Sequence, residues 1–273
     1  MEPTGAVLGE IVAACRQGLA EARVRIPLGY WQGAADARLE RRDFGRALVG
    51  DGSGRGPMRV IAELKRASPS RGMLRTRYRR REIAQAYARA GAAALSVLTE
   101  EQYFLGSIED LKQARGAVSL PVLRKDFILD AYQVYESAAA GADAVLLIAA
   151  VLPDGDLREL IGLCESLRLA ALVEVHNEEE LDRALAAGAR IIGVNNRNLK
   201  TMEVNMETSF RLKERIPSSC LSVSESGIRT AQDLRDLAVA GFHAALIGEH
   251  LMTADDPGRA LAELLDGARA LVT

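Results

Sequence analysis

The stretch AGADAVLLI, residues 140–148, contains the pattern that decides the fold, because close variants of it recur along the chain. The other copies are AGAAALSVL at 90–98, AGARIIGVN at 187–195 and AGFHAALIG at 240–248. In each copy the glycine follows a helical pattern, which is typical of a residue that ends a helix. The apolar run after the glycine predicts a short strand that is buried on both faces. The chain thus contains four helix-to-strand junctions of one kind.

Four further apolar runs lie between these copies and complete a regular alternation. They are RVIAEL at 59–64, PVLRK at 121–125, AALVEV at 170–175 and LSVSES at 221–226. Eight strands, each followed by a helical segment, predict an α/β fold, the (β/α)8 TIM barrel. An open doubly wound sheet is the alternative. That fold favours a glycine-rich turn after its first strand, and RASPSRG at 66–72 is a different kind of turn.

The first 50 residues lie outside this repeat. Five of them fall on one helical stripe and predict an N-terminal helix that packs on the barrel: Leu8, Ile11, Val12, Cys15 and Leu19. GDGSGRGP at 50–57 is typical of a flexible connector. We therefore expect a single domain over residues 1–273, with an N-terminal helical extension at 1–50 and the barrel at 58–273.

The composition argues against several functional classes. Lysine and arginine number 35 against 37 acidic residues, whereas nucleic-acid and membrane-surface proteins usually carry a basic excess. The chain contains no apolar run long enough to span a bilayer, and its start lacks the features of a signal peptide. Cys15, Cys164 and Cys220 fit no metal-ligand spacing and indicate a reducing compartment. We expect a cytoplasmic protein without nucleic-acid or membrane partners.

The histidines give no sign of a metal site. His176, His243 and His250 are scattered after or before different strands. Surface or capping roles are the more common use of such residues. We therefore predict that the protein binds no metal.

Polar side chains gather at the carboxyl ends of the predicted strands, which form the mouth of a parallel barrel where its chemistry takes place. The first strand ends with Glu63 and Lys65, which share a face because they are two residues apart. Lys125 ends the third strand and Glu174 the fifth. The sixth and seventh strands end in Asn195, Asn196, Ser224, Glu225 and Ser226. Because buried unpaired charge is costly, this gathering predicts either a paired network or a catalytic site.

Glycine turns follow the last two strands, in SESGI at 224–228 and LIGEHL at 246–251. Glycine lets backbone N–H groups approach an anion, and the start of a following helix adds a favourable partial charge. Barrels of this kind usually bind phosphate after strands seven and eight. The two turns therefore predict a phosphate site and a small phosphorylated substrate.

Seven motifs that occur in order between about residue 60 and residue 252 closely resemble the indole-3-glycerol-phosphate synthase family. They are IAELKRASPSRG, SVLTEEQYFLGS, PVLRKDFILDAYQ, LVEVHNEEEL, IGVNNRNL, SESGI and LIGEHLM. The combination of ELKRASPS with LRKDF is highly specific. The resemblance implies a barrel lyase of tryptophan biosynthesis that uses no cofactor. Its substrate would be 1-(2-carboxyphenylamino)-1-deoxyribulose 5-phosphate, and its products indole-3-glycerol phosphate, carbon dioxide and water.

The resemblance also implies roles for single residues. Lys125 would be the general acid that protonates the ketone, and Glu174 would be the base in the later dehydration. Lys65 would bind substrate anions and assist loss of the hydroxyl group. Glu63 and Asn195 would orient the substrate and the amines. The division of the acid role between Lys65 and Lys125 stays open.

The implied binding residues form two groups. The phosphate contacts would be Ser68, Ser226, Gly227, Gly248 and the backbone of Glu249. Phe104, Phe127, Leu146 and Leu199 would line a sleeve for the aromatic ring, and Arg197 would lie in the same region.

Three alternatives remain. A lyase of the aldolase type could form a Schiff base on Lys125 or Lys65. The sister isomerase of the same pathway would need a cysteine at the barrel mouth, whereas Cys220 begins the seventh strand at the opposite end. A barrel that binds a phosphorylated metabolite without turnover is the third alternative. The oligomeric state is expected to be a monomer or a weak homo-oligomer.

Overall fold

The computed structural model describes residues 5–38, 40–49 and 58–270. The connector predicted at 50–57 lies outside the described residues. Eight parallel strands form a closed barrel, which confirms the predicted TIM-barrel fold. Their bounds are β1 Arg59–Leu64, β2 Ala94–Leu98, β3 Val122–Lys125, β4 Ala144–Ile148, β5 Ala170–Val175, β6 Ile191–Asn195, β7 Leu221–Glu225 and β8 Ala244–Ile247.

Each strand pairs with the strands before and after it in the chain, and β8 pairs with β1 to close the barrel. Within this ladder, Glu63 lies opposite Ser96, and Asn195 lies opposite Glu225. Because alternate residues of a strand face the same side, these four side chains point into the barrel near its carboxyl end. A short antiparallel pair, Ala67–Ser68 with Gly72–Met73, lies in the loop after β1.

The described helices lie before the barrel and between or after its strands. Their bounds are α1 Gly5–Arg25, α2 Leu28–Asp36, α3 Phe44–Val49, α4 Arg80–Ala90, α5 Ile108–Ala117, α6 Ala131–Ala140, α7 Asp154–Ser166, α8 Glu178–Ala186, α9 Glu207–Lys213, α10 Ala231–Val239, α11 Glu249–Thr253 and α12 Pro257–Ala270. Gly91 and Gly141 end α4 and α6 in the left-handed conformation, with φ values of 96° and 105°. A side chain would be strained there, which explains the recurring glycine.

Two apolar cores support the barrel. The larger core lies between the strands and the surrounding helices, and includes outward-facing residues such as Val60, Leu147 and Val173. The smaller core fills the barrel interior and includes inward-facing Leu123 and Val223. Phe44 and Leu48 of α3 join this inner core, so α3 packs against the amino-terminal end of the barrel. The opposite end is left for polar side chains.

The predicted N-terminal stripe faces the protein. Ile11 is only 4% exposed, while Leu8, Val12, Cys15 and Leu19 are partly buried. The hydroxyl group of Tyr132 in α6 donates to the carbonyl oxygens of Ala22 and Ile26, which ties the end of α1 to the barrel. Among the described residues, no helix is long and apolar enough to cross a membrane.

Candidate active site

Two adjoining cavities at the carboxyl end of the barrel contain every site residue expected from the sequence. The larger, of about 150 Å³, is lined by Glu63, Lys65, Ser68, Phe104, Lys125, Phe127, Leu146, Glu174, Asn195, Arg197, Leu199, Ser226 and Glu249. The smaller, of about 70 Å³, shares several of these residues and adds Gly227 and Gly248. Residues that are far apart in sequence thus meet in one place.

A buried ion-pair cluster forms the floor of the larger cavity. The Nζ atom of Lys125 lies 2.7 Å from Oε2 of Glu174 and 3.0 Å from Oε2 of Glu225. Both carboxylates are almost fully buried, whereas the lysine side chain is 14% exposed. Lys125 and Glu225 end β3 and β7, and Glu174 is the last residue but one of β5, so the three come from alternate strands of the barrel. One ammonium group therefore holds two carboxylates.

A second pair lies beside this cluster. The Nζ atom of Lys65 lies 2.9 Å from Oε1 of Glu63, so the two residues do share a face as predicted. The hydroxyl group of Ser96 donates to Oε2 of Glu63 at 3.1 Å. A side chain at Gly248 would overlap the Glu63 carboxylate, and one at Gly193 would overlap the Glu225 carboxylate. Glycine at these two inward positions makes room for the acids.

The protonation states of the cluster follow from burial and from mutual charge. Burial disfavours the charged form of Lys125. The negative charges of Glu174, Glu225 and Glu63 have a larger opposite effect and raise the lysine pKa above its usual value. Burial also disfavours the charged form of Glu174. Contacts with Lys125 and His176 stabilise that form and shift the Glu174 pKa well below the usual range. Burial raises the pKa of Glu225 to about 7, and the neighbouring carboxylates Glu174 and Glu63 act in the same direction. The cluster can therefore exchange a proton near neutral pH at Glu225.

His176 is mostly buried, which rules out the surface role among the surface or capping roles expected for the histidines. Its side chain is 10% exposed, with Nε2 3.3 Å from Oε1 of Glu174 and Nδ1 2.8 Å from Oε2 of Glu180. The sequence did not reveal this contact because Glu180 reaches back from the first turn of α8. A histidine directly after a barrel strand and four residues before a glutamate is the signal that was available.

The rings of Phe104 and Phe127, called the aromatic wall below, line the same cavity as the cluster. The rings of Phe104 and Phe127 have centroids 6.4 Å apart and planes tilted by 42°. The buried carboxylate of Glu100 accepts hydrogen bonds from the backbone N–H groups of Tyr103 and Phe104, which fixes the loop after β2. The Asp126 carboxylate accepts from the backbone N–H of Phe127. Two buried acids thus fix the backbone positions of both rings.

The smaller cavity is bordered by the turns that follow β7 and β8, where the sequence predicts a phosphate site. Ser226 and Gly227 follow β7 in the left-handed conformation, with φ values of 67° and 87°. A Cβ atom at Gly227 would lie 2.7 Å from Cγ1 of Val204, so only glycine fits. The helix expected after β8 is short, since α11 spans five residues. Turns and the cationic side chains of Lys65, Arg197 and Arg229, rather than a long helix, therefore surround this cavity.

Glu249 places a carboxylate beside this cavity, and arginines neutralise it. Its Oε1 atom lies 3.0 Å from an Nη atom of Arg71, and its Oε2 atom lies 3.4 Å from an Nη atom of Arg197. Arg229 is more distant, at 3.9 Å. The carboxylate is thus engaged with guanidinium groups, and its charge is compensated within the rim of the site.

Besides the His176 contacts, two further contributions to the site were not predicted from the sequence. Glu225 was noted as a strand-end residue but received no role, although its two-residue spacing from inward-facing Val223 marks it as inward facing. Val7, Leu8 and Ile11 of α1 also line the larger cavity. The helical stripe predicted a packing face, but the periodicity carries no information about which part of the barrel that face covers.

The described residues contain no group of three histidine, cysteine or acidic side chains placed to hold a metal ion. The three cysteines are free, and Cys220 lies just before β7 at the amino-terminal end of the barrel. Its position separates it from the acid–base cluster. The geometry thus gives no support to an enzyme that uses a cysteine at the mouth.

A complete parallel barrel with an acid–base cluster and adjoining cavities at its carboxyl end has the architecture of a TIM-barrel enzyme. The chain belongs to the indole-3-glycerol phosphate synthase family, whose model matches residues 8–264. It is 52% identical over 258 residues to the indole-3-glycerol phosphate synthase of Albidiferax ferrireducens, covering 94% of this chain and 97% of the relative. It is 48% identical over 262 residues to the enzyme of that name from Carboxydothermus hydrogenoformans, covering 94% and 99%.

Solved structures of lower identity share the fold. Thiamine phosphate pyrophosphorylase from Pyrococcus furiosus superimposes with a TM-score of 0.60 at 17% identity, covering 79% of this chain and 98% of the other. The 3-hexulose-6-phosphate synthase of Salmonella typhimurium gives a TM-score of 0.57 at 14% identity, covering 76% and 98%. At these identities the likeness concerns the barrel alone.

Proposed function

We propose that the protein is a decarboxylating lyase that converts 1-(2-carboxyphenylamino)-1-deoxyribulose 5-phosphate into indole-3-glycerol phosphate, carbon dioxide and water in tryptophan biosynthesis. The observation that carries this proposal is the position of the Lys125 ammonium group between two buried carboxylates. Beside it are an aromatic wall and an anion cavity. A substrate with an aromatic ring at one end and a phosphate at the other matches this arrangement, and membership of the family supports it.

The first step is ring closure, in which an aromatic carbon attacks the ketone of the substrate. Lys125 donates a proton to the ketone oxygen and so makes the carbonyl carbon more electrophilic. The raised pKa of Lys125 keeps this group in the ammonium form that proton donation requires. Loss of carbon dioxide then restores the aromaticity of the ring.

The second step is dehydration, in which the new ring loses a proton and a hydroxyl group. Glu174 accepts the proton, since its lowered pKa keeps it ionised. Lys65 assists departure of the hydroxyl group, while Glu63 and Asn195 orient the substrate. Lys65 approaches the cavity from the end of β1 and Glu174 from β5, so an acid and a base can act on different sides of the ring.

Binding holds the flexible substrate in a reactive conformation. Ser68, Ser226, Gly227, Gly248 and the backbone of Glu249 contact the phosphate, and Arg197 supplies positive charge. Phe104, Phe127, Leu146 and Leu199 enclose the aromatic ring. The apolar side chains of α1 complete this enclosure, which supports the view that residues 1–50 and 58–273 form one functional domain.

The proposal also covers the compartment, the cofactor requirement and the oligomeric state of the protein. We propose a cytoplasmic enzyme that works without a cofactor, as a monomer or weak homo-oligomer. Free cysteines suit a reducing compartment. Large exposed apolar side chains are scattered over separate elements, for example Val24 in α1 and Val239 in α10, which favours a weak association at most.

The Schiff-base alternative is less well supported. A lysine must be neutral to attack a carbonyl group, whereas the surrounding carboxylates favour the charged form of Lys125. Borohydride treatment in the presence of substrate is the direct check. The proposal requires that no covalent adduct be trapped on either lysine.

The decisive experiment is incubation of the purified protein with the carboxyphenylamino substrate, with and without a metal chelator. We expect appearance of indole fluorescence together with one equivalent of carbon dioxide, equally in both conditions. Tight binding of the substrate without any indole product would contradict the enzyme proposal and favour a binding protein.

A further inference from the structure

His176 connects the proposed base Glu174 to a second carboxylate outside the cavity. It follows β5 directly, and α8 begins two residues later. On one side Nε2 lies 3.3 Å from Oε1 of Glu174, and on the other Nδ1 lies 2.8 Å from Oε2 of Glu180. The imidazole ring thus separates two carboxylates and has a carboxylate oxygen near each of its nitrogens.

Glu180 is itself held in place by the start of α8. Its Oε2 atom also accepts a hydrogen bond from the backbone N–H of His176, and its Oε1 atom accepts from the side-chain amide of Asn177. The Asn177 side chain in turn caps the helix by accepting from the backbone N–H of Glu180. Reciprocal contacts of this kind fix both side chains at a helix start. The second carboxylate is therefore a fixed part of the fold.

The geometry determines the charge on the ring. A carboxylate accepts hydrogen bonds, so Nδ1 must carry a proton to face Glu180. Nε2 forms no hydrogen bond within the described residues, but if it were unprotonated its lone pair would lie 3.3 Å from the negatively charged Oε1 of Glu174. A proton on both nitrogens removes this repulsion and pairs one cation with two anions. Burial lowers the pKa of His176, but contacts with Glu174 and Glu180 outweigh burial and raise it to about 9.

The two oxygens of Glu174 consequently face different cations. Oε2 faces the Lys125 ammonium at 2.7 Å, and Oε1 faces His176. In the proposed reaction Lys125 gives its proton to the substrate and becomes neutral. At that moment His176 is the cation that remains in contact with Glu174. It can keep the carboxylate ionised until the carboxylate accepts a proton from the new ring.

We propose that His176, held by Glu180, is a positioning residue that orients Glu174 and keeps it ionised after Lys125 has released its proton. This inference rests on the proposed function. His176 keeps both ring protons throughout, and the proton taken from the substrate stays on Glu174. The charged groups that face this unit are Glu174 from β5, Glu180 from α8, and, across Glu174, Lys125 from β3 and Glu225 from β7.

The charge on His176 can be measured without turnover. The chain has three histidines, so a protein labelled with 13C at histidine gives three ring signals. Loss of one signal in His176→Gln assigns it. We expect the His176 signal to titrate near pH 9 in the wild-type protein and about one pH unit or more lower in Glu180→Gln, because one anion is lost.

Glu178→Gln is the matched control, since it makes the same change in the same first turn of α8. Glu178 pairs with Arg211, whereas Glu180 is the carboxylate that contacts the His176 ring. We expect it to leave the His176 titration unchanged. A His176 signal that titrates at or below its ordinary value of about 6.5 would overturn the proposal.

Steady-state kinetics tests whether His176 and Glu180 support Glu174 during the reaction. In His176→Gln we expect kcat to fall about tenfold or more and the acidic limb of its pH profile to move upward by about one unit, because Glu174 becomes easier to protonate. KM should change about twofold at most. A variant profile that coincides with the wild-type profile would contradict the proposal.

If His176→Gln does not fold, the His176 titrations in the wild-type protein and in Glu180→Gln decide whether the proposal holds. Absence of any wild-type turnover would contradict the proposed function alone.

Discussion

The ammonium nitrogen of Lys125 lies 2.7 Å from a carboxylate oxygen of Glu174, although 49 residues separate the two in the chain. Neither side chain could be buried alone without a large cost. β3 and β5 deliver them to one point because alternate strands of the barrel contribute side chains to the same interior layer. The contact pairs two charged groups that the proposed reaction needs in their charged forms.

Replacement of Lys125 by alanine is expected to abolish the chemical step. We expect kcat to fall by about a hundredfold to ten-thousandfold, the usual contribution of a positioned acid. Affinity for the substrate should be nearly retained, because the anion cavity and aromatic wall are untouched. Single-turnover kinetics together with equilibrium binding measures both quantities. Lys112→Ala, on the exposed face of α5, is the control. Turnover close to wild type in Lys125→Ala would remove this residue from its proposed role.

Glu225 is expected to make the protein less stable as the pH rises from about 5 to 7. Its pKa is about 7 in the folded protein, mainly because of burial, and 4.5 is the ordinary value. Between these values the native state holds more protons than the unfolded state, so the free energy of unfolding falls with increasing pH. The slope from this group is at most about 1.4 kcal/mol per pH unit.

Denaturant unfolding at several pH values checks this expectation. Glu225→Gln should flatten the slope between pH 5 and 7, because glutamine does not titrate. Glu263→Gln, at an exposed position in α12, should leave the slope unchanged. Parallel curves for the wild-type protein and Glu225→Gln would show that Glu225 does not titrate in this range.

Alanine at Gly248 is expected to displace the Glu63 carboxylate. The added Cβ atom would overlap Oε1 of Glu63, the atom that lies 2.9 Å from Lys65. Overpacking of this kind costs about 1–3 kcal/mol, and we expect at least a tenfold loss of kcat/KM as the pair moves. Thermal unfolding and steady-state kinetics measure the two effects. Gly162→Ala in α7, where a Cβ atom meets nothing within 4 Å, should retain activity and stability.

Alanine at Ile11 is expected to weaken substrate binding. Ile11 lines the larger cavity and is 4% exposed, so truncation removes part of the apolar enclosure. We expect an increase in KM with little change in kcat, and a loss of about 2 kcal/mol in stability. Val24→Ala on the same helix, where the side chain is 88% exposed, is the control. Equal KM values in the two variants would mean that α1 does not contribute to the binding site.

Much of the fold could be predicted because the pattern that carries it is local. A glycine that ends a helix, followed by a short apolar run, needs only neighbouring residues to be recognised. β1 and β5 have the predicted bounds, 59–64 and 170–175, and β3 and β7 each differ from the prediction by one residue at one end. Two-residue periodicity also correctly predicted that Glu63 and Lys65 share one face.

The contacts around the site were harder to predict from the sequence. Glu225 received no role, since nothing near it in the chain indicates that Lys125 would lie 3.0 Å away. His176 was expected to have a surface or capping role, because its two carboxylate neighbours come from a strand end and from the following helix and are not recognisable in the sequence. The position of Ile11 over the cavity depends on how α1 crosses the barrel, which helical periodicity does not specify.

The sequence by itself determined the alternation of strands and helices, the family, and which residues face inward on each strand, because these properties depend on short-range periodicity and local turns. The tertiary structure decided which inward residues touch. Closure of the barrel brings β1, β3, β5 and β7 together around one centre, and burial there makes each charge depend on its neighbours. Only these tertiary contacts produce the protonation of Glu225, the pairing of Lys125 and the bridging position of His176.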